Sequence, residues 1–258
     1  MVDSHCHLTH PRLRGETEAV LARAGARGVS VCVTIGTGVE DAILAREMAR
    51  AHPGRVYATA GLDPFSSHAA GSAFDDALRA LEDLLRSGGF VAVGEIGLDY
   101  HYDLDPRPVQ RVRLERQLAL ARDLDLPVVI HVRDAHDDMA AVLADHRGVS
   151  GVIHSFTGGP EEGERYLGLG WSLAFNGVVT FPTAGEVREA AARVPVGAML
   201  VETDAPYLAP VPHRGTRCEP AFVADTVRAL AAVRGVEAVE VAKTTGRNGR
   251  SLFRLPAV

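Results

Sequence analysis

His5 and His7 stand two residues apart in the stretch DSHCHL, with Cys6 between them. Two imidazoles at that spacing hold a metal ion when other donors join them; alone, they are equally the polar residues of a buried strand. Other donors of the same kind recur along the chain: Glu95 in GEIGLDYH, His131 in LPVVIHVRDA, His154 in HSFTG and Asp204 in ETDAPYL. Four imidazoles and two carboxylates gathered in one place are too costly to bury without a partner, and a divalent cation supplies the missing charge. Imidazole accommodates zinc, manganese and iron, and carboxylate also suits magnesium, so the donor set permits several metals and selects none. The chemistry such a set supports is metal-assisted hydrolysis.

Elements of regular spacing must bring these residues together. Eight short β-rich runs cover 1–8, 29–36, 55–63, 90–99, 126–134, 151–158, 171–177 and 198–206, with amphipathic stretches such as FDDALRALEDLLRSG between them. Eight strands alternating with helices in 258 residues predict a single-domain α/β fold, a (β/α)8 TIM barrel over 1–258, because such barrels take about 250 residues. Residues 219–253 read as one or two further helices covering the barrel. A doubly wound open sheet shares the alternation, which by itself does not prove closure. The six donors, and Asp63 with them, fall near the C-terminal ends of their runs, where both folds build active sites.

Alternation along a strand sorts the candidates by face. Asp3, His5 and His7 share one face and Cys6 takes the other, so Cys6 is expected to pack against the helices. The same parity turns Glu95 inward with Val93 and Gly97, His131 inward with Val129 and Arg133, and Asp204 inward with Glu202. Six ligands exceed what one four-coordinate ion with an open position requires, so two ions sharing a carboxylate fit better. Glu95 is the natural bridge, since the sole lysine, Lys243, lies in the C-terminal helical stretch and offers no carboxylated alternative.

Composition narrows the class. The 47% hydrophobic and 23% charged fractions are those of a soluble globular protein, and no apolar run reaches the roughly 18 residues of a membrane span. No leader pattern opens the chain, which predicts a cytoplasmic protein with no membrane contact. Cys6, Cys32 and Cys218 are far apart and form no CxxC pair, which disfavours a disulfide framework or a thiolate zinc site. A net charge of −6 argues against a protein that coats nucleic acid through a broad basic face, though not against a narrow site gripping a few phosphates. Nothing calls for an obligate protein partner.

The motifs DSHCHL, GEIGLDYH, LPVVIHVRDA, HSFTG and ETDAPYL, followed by EPAFV at 219–223 and NGRSLF at 248–253, resemble in order those of the TatD-type deoxyribonucleases, metal-dependent barrels of the amidohydrolase superfamily. The resemblance implies that His5, His7, Glu95, His131, His154 and Asp204 are metal ligands. It also implies two divalent ions, Mg2+ or Mn2+ with Zn2+ also admitted, and 3′-5′ exonucleolytic hydrolysis of DNA, single-stranded or at a 3′ end, in repair or degradation. Two positions depart from the family pattern: Asp63 stands in GLDP where similar proteins carry histidine, and Cys218 where they carry asparagine.

In the mechanism expected on this basis, His5, His7 and Asp204 hold one ion, His131 and His154 the other, and Glu95 bridges them. Asp204 and Glu95 are the catalytic candidates, Asp204 orienting the attacking water and taking its proton. Arg133, His101 and Asp63 are candidate substrate contacts. Arg133 either holds a phosphate oxygen or pairs with an inward carboxylate, and Tyr100, Tyr102 and Phe156 are candidates to stack on a terminal base. The alternatives on the same barrel are a hydrolase of a small ester, amide or phosphotriester, a deacylase of misacylated tRNA, and a barrel that binds metal without turnover.

Overall fold

The computed structural model describes residues 1–256. Eight parallel strands, β1 (Val2–Cys6), β2 (Val31–Thr37), β3 (Val56–Gly61), β4 (Ala92–Asp99), β5 (Val128–Arg133), β6 (Gly151–Ile153), β7 (Ser172–Phe175) and β8 (Met199–Val201), pair in sequence order. The ring is drawn together between its ends by a bridge from Cys6 to Ala205. The hydrogen bonds Asp204 N to His5 O (2.9 Å) and His7 N to Ala205 O (2.7 Å) reinforce that seam. Closure removes the open-sheet alternative.

Helices α1 (Thr17–Ala26), α2 (Val39–Ala51), α3 (Pro64–Ala70), α4 (Phe74–Arg86), α5 (Arg107–Asp123), α6 (His136–Asp145), α7 (Pro160–Gly168) and α8 (Gly185–Arg193) fill the connections, and α9 (Val223–Arg234) and α10 (Ala238–Leu252) follow β8. In α4, Phe74, Leu78, Leu81 and Leu85 repeat at helical spacing and are buried. Among the described residues, no helix is long and apolar enough to cross a membrane.

Two apolar layers result. Val2, Val31, Val33, Ile35, Ala92, Val129, Val152, Ala174 and Leu200 form one cluster with Phe253 and Leu255. Only the barrel interior brings together residues from so many strands, and the C-terminal segment plugs its lower end. The outer layer, between sheet and helices, takes Val93, Ile96, Val128, Ile130 and Val132.

Two strands break the simple alternation. Three residue steps on β1, from Asp3 to Cys6, match two on β2, from Cys32 to Thr34. Three steps on β4, from Val93 to Ile96, likewise match two on β5, from Val128 to Ile130. Each is a bulge of one extra residue, and a bulge re-aims the side chains that follow it. Two parity expectations are thereby corrected. Asp3 does not share the face of His5: its carboxylate lies by Cys6 and Cys32 and accepts from Thr203 N (2.9 Å) and Thr203 Oγ1 (2.6 Å). Val93 packs outward while Glu95, beyond the bulge, faces in. Cys6 is buried on the outer layer as expected, its thiol directed at the Val33 carbonyl oxygen.

Candidate metal centre

The six sequence-predicted donors converge at the C-terminal mouth of the barrel. His5 Nε2 lies 3.2 Å from His7 Nε2, 3.5 Å from Glu95 Oε2 and 3.5 Å from Asp204 Oδ1. His7 Nε2 is 3.3 Å from the same Asp204 oxygen. Across the cluster, Glu95 Oε1 is 2.8 Å from His131 Nδ1 and 3.0 Å from His154 Nε2. Of the groups whose donor atoms all lie within 4.8 Å of one another, His5–His7–Glu95 and Glu95–His131–His154 share Glu95, and His5–His154–Glu202 links the two sides; Asp204 approaches through His5 and His7. The rings of His5 and His154 stack between them at 3.9 Å.

This donor chemistry fits divalent cations. Imidazole nitrogens face one another at 3.2 Å between His5 and His7 and at 3.4 Å between His131 and His154, so lone pairs oppose lone pairs unless a proton or cation intervenes. No lysine or arginine pairs with Glu95 among the described residues; its contacts are imidazoles.

Electrostatics follow from that crowding. Burial opposes ionisation of Glu95, yet the His154 and His131 imidazoles outweigh it and hold the carboxyl well below its usual range. Burial would depress His131, but hydrogen bonds to Asp99 and Glu95 raise its pKa to about 9. His154 is raised likewise, burial being outweighed by Glu95 and Glu202. His5, buried and facing His154, is driven down.

Sequence reasoning missed the carboxylates behind the histidines. Asp99 Oδ2 lies 3.1 Å from His131 Nε2, and Glu202 Oε1 lies 3.5 Å from His154 Nδ1. A carboxylate in hydrogen-bond reach, as Asp99 is of His131, fixes the tautomer and ring orientation of a ligating histidine, whereas Glu202 Oε1 accepts from the Ser155 N–H at 2.5 Å. Parity carries the signal for Asp99, which follows Glu95 and Gly97 on one face; for Glu202 it gives the inward face and no more. Asp99→Asn keeps an oxygen for the turn, where Oδ1 accepts from His101 N and Tyr102 N, but loses the charge behind His131. It is expected to weaken metal affinity about ten- to a hundredfold in a chelator competition. Unchanged affinity would assign Asp99 to the turn alone.

Above the donors opens a cavity of about 970 Å3, lined among others by His7, Arg14, Asp63, Phe65, Glu95, Tyr102, His131, Arg133, His154, Asp204 and Tyr207. Asp63 reaches this wall with one carboxylate oxygen already engaged: as the cap of α3 it accepts from the backbone N–H and hydroxyl of Ser66. Burial, aided by Glu95, raises its pKa. The Arg133 side chain forms no ion pair among the described residues and lies 5.2 Å over the Tyr102 ring, so its ion-pair alternative falls. His101 does not line the cavity and sits at the rim, 3.2 Å from Asp134. Of the stacking candidates, Phe156 is 2% exposed in the core, and the Tyr100 hydroxyl is bound to Asp138 with Arg107 over its ring. Tyr102 alone of the three is exposed. Cys218 is buried, its thiol directed at the Thr203 carbonyl oxygen.

A closed parallel barrel with shared histidine and carboxylate donors at its C-terminal mouth is the architecture of a metal-dependent hydrolase. The chain belongs to the TatD-related DNase family, whose model, described as "TatD related DNase", matches residues 2–254. It is 36% identical to the "Uncharacterized metal-dependent hydrolase YcfH" of Escherichia coli K12, across 100% of this chain and 97% of that protein. It is also 36% identical to the "3'-5' ssDNA/RNA exonuclease TatD" of Pantoea vagans, across 99% of this chain and 100% of the relative. The crystal structure of the TatD homologue YjjV from Escherichia coli K12 superposes with a TM-score of 0.92 at 32% identity, covering 99% of this chain and 98% of that one.

Proposed function

We propose that this protein is a 3′-5′ exonuclease that hydrolyses phosphodiester bonds of single-stranded DNA with two divalent ions, Mg2+ or Mn2+. The observation that carries this reading is the sharing of Glu95 between two donor groups on the floor of an open cavity. His5, His7 and Asp204 would hold one ion, His131 and His154 the other, with Glu95 between them. Such ions lower the pKa of bound water and neutralise charge on the scissile phosphate. Asp204 takes the proton of the attacking water, and Arg133, which forms no ion pair among the described residues, holds a phosphate oxygen. The relatives named as ssDNA/RNA exonucleases favour a nucleic-acid substrate. The cellular setting that accompanies this reading is DNA repair or degradation in the cytoplasm.

The test is hydrolysis of end-labelled single-stranded DNA, duplex DNA, RNA and an ester panel across metals. Chelated protein is expected to be inactive on all, with Mn2+ or Mg2+ restoring cleavage of the single strand from its 3′ end. Full activity after exhaustive chelation, or turnover of esters alone, would overturn the reading.

Proton linkage supplies a second measurement. In the metal-free protein His131 holds a proton to about pH 9 and His154 is raised as well, whereas a ligating histidine must be neutral. Metal binding near neutrality then expels the protons these histidines hold, and apparent affinity is expected to fall as pH drops below about 9, about tenfold per pH unit for each proton displaced. Calorimetry in buffers of different ionisation enthalpy counts the protons released; no release would contradict histidine ligation.

A further inference from the structure

Phe, Tyr and Trp side chains contribute most when buried, and nearly all of those here are buried or half-buried. Phe65, Tyr102 and Tyr207 are the exceptions among the described residues, at 44%, 52% and 46% exposure, and all three line the cavity above the metal donors. Their placement is not scattered. Phe65 sits in the first turn of α3 and Tyr102 in the loop after β4, where their rings meet edge to face at 5.2 Å. Tyr207 follows β8, its ring braced by His10 at 5.6 Å and His7 at 6.0 Å. In a ring of eight strands paired in sequence order, β4 and β8 stand opposite each other. The exposed aromatics therefore form two walls across the mouth, with the Glu95 cluster on the floor between them.

Two guanidinium groups are available at the cavity. Arg133 lies over Tyr102, and Arg14 lines the cavity with no side-chain ion pair among the described residues. Exposed rings beside unpaired guanidinium groups suit a ligand that alternates flat π-faces with phosphates. A base paired within a duplex cannot offer its face to a ring from the side.

We infer that Phe65 with Tyr102 on one wall, and Tyr207 on the other, stack on unpaired bases next to the scissile phosphate and so set the preference for base-bearing single strands. This rests on the nucleic-acid reading above and names the side chains that would recognise the substrate. Arg14 and Arg133 hold the phosphates between those bases.

The test separates the two claims. Binding of a fluorescent oligothymidylate is measured in EDTA, where nothing is cleaved, against an equally long strand whose 3′-terminal three nucleotides lack bases. Wild-type protein is expected to bind the base-bearing strand at least about tenfold more tightly. The Phe65→Ala/Tyr102→Ala double variant and Tyr207→Ala should each lose most of that difference while binding the abasic strand as wild type does. Tyr102→Phe should bind like wild type, because the ring and not the hydroxyl makes the contact. Full base dependence in both alanine variants, or a wild type that binds and cleaves DNA without regard to bases, overturns the stacking walls and leaves the nuclease reading standing. A wild type that neither binds nor, with Mn2+, cleaves any nucleic acid brings down that reading and this inference together.

Discussion

Glu95→Ala is expected to lose bound metal and turnover together. Both donor groups contain this carboxylate, one oxygen toward His131 and His154 and the other toward His5. Its removal takes an anionic ligand from each group at once. The loss in kcat/KM should reach at least about a thousandfold, well beyond the ten- to hundredfold typical of an outer partner. Metal analysis of the purified variant, beside kinetics at saturating Mn2+, checks both halves. Glu95→Gln separates shape from charge: it fills the same volume, yet its amide is a poor ligand, so it should resemble the alanine variant. Two ions per chain and near-normal rates in either variant would refute the bridging role. The fold should survive, because without the carboxylate the His131 and His154 imidazoles can shed their protons rather than remain buried charges.

Gly97→Ala is expected to damage stability and metal binding through one contact. Gly97 on β4 pairs with His131 on β5, and an added Cβ would overlap the His131 carbonyl oxygen, with the carbonyl carbon at 2.7 Å and the His131 Cβ at 2.9 Å. The obstacle is backbone, so it cannot swing aside; the strands must separate. Overpacking of this kind costs about 3 kcal/mol or more. In a chain of this size that lowers the thermal midpoint by about 6–12 °C. Because the displaced residue is a ligand candidate, metal affinity should fall as well. Gly15→Ala is the control: nothing lies within 4 Å of the place its methyl group would take, so stability should change by less than about 0.5 kcal/mol. A Gly97→Ala protein that melts and binds metal as wild type does would show that β4 and β5 can part at this point without consequence.

Glu95 also shows where sequence reasoning succeeds and where it fails. Alternation turned it inward, and inward it is, but in the company of Ala92 from the barrel interior rather than Val93. The bulge between Val93 and Ile96 lies between those two facts. On β1 the equivalent bulge separates Asp3 from the histidines it was grouped with, leaving its carboxyl buried by Cys6 and bonded to Thr203, with burial raising its pKa to about 8. Side-chain alternation is a property of one strand. A bulge is a property of two, set by how their hydrogen-bond ladders fall into register, and a single strand's pattern does not carry it.

The same division runs through the whole protein. The sequence by itself determined the eight strands, their helical connections, the six donors at strand ends and the exclusion of Cys6 from them, because residue type and spacing act locally along the chain. Only the tertiary structure decided that the sheet closes, that Asp99 and Glu202 stand behind the histidines, that Arg133 forms no ion pair among the described residues, and that Phe65, Tyr102 and Tyr207 reach the mouth while Tyr100 and Phe156 do not. Each of these depends on groups from distant segments meeting in space. The β1–β8 seam joins residues about two hundred positions apart, and which loop side chain is covered depends on what the neighbouring loops bring against it.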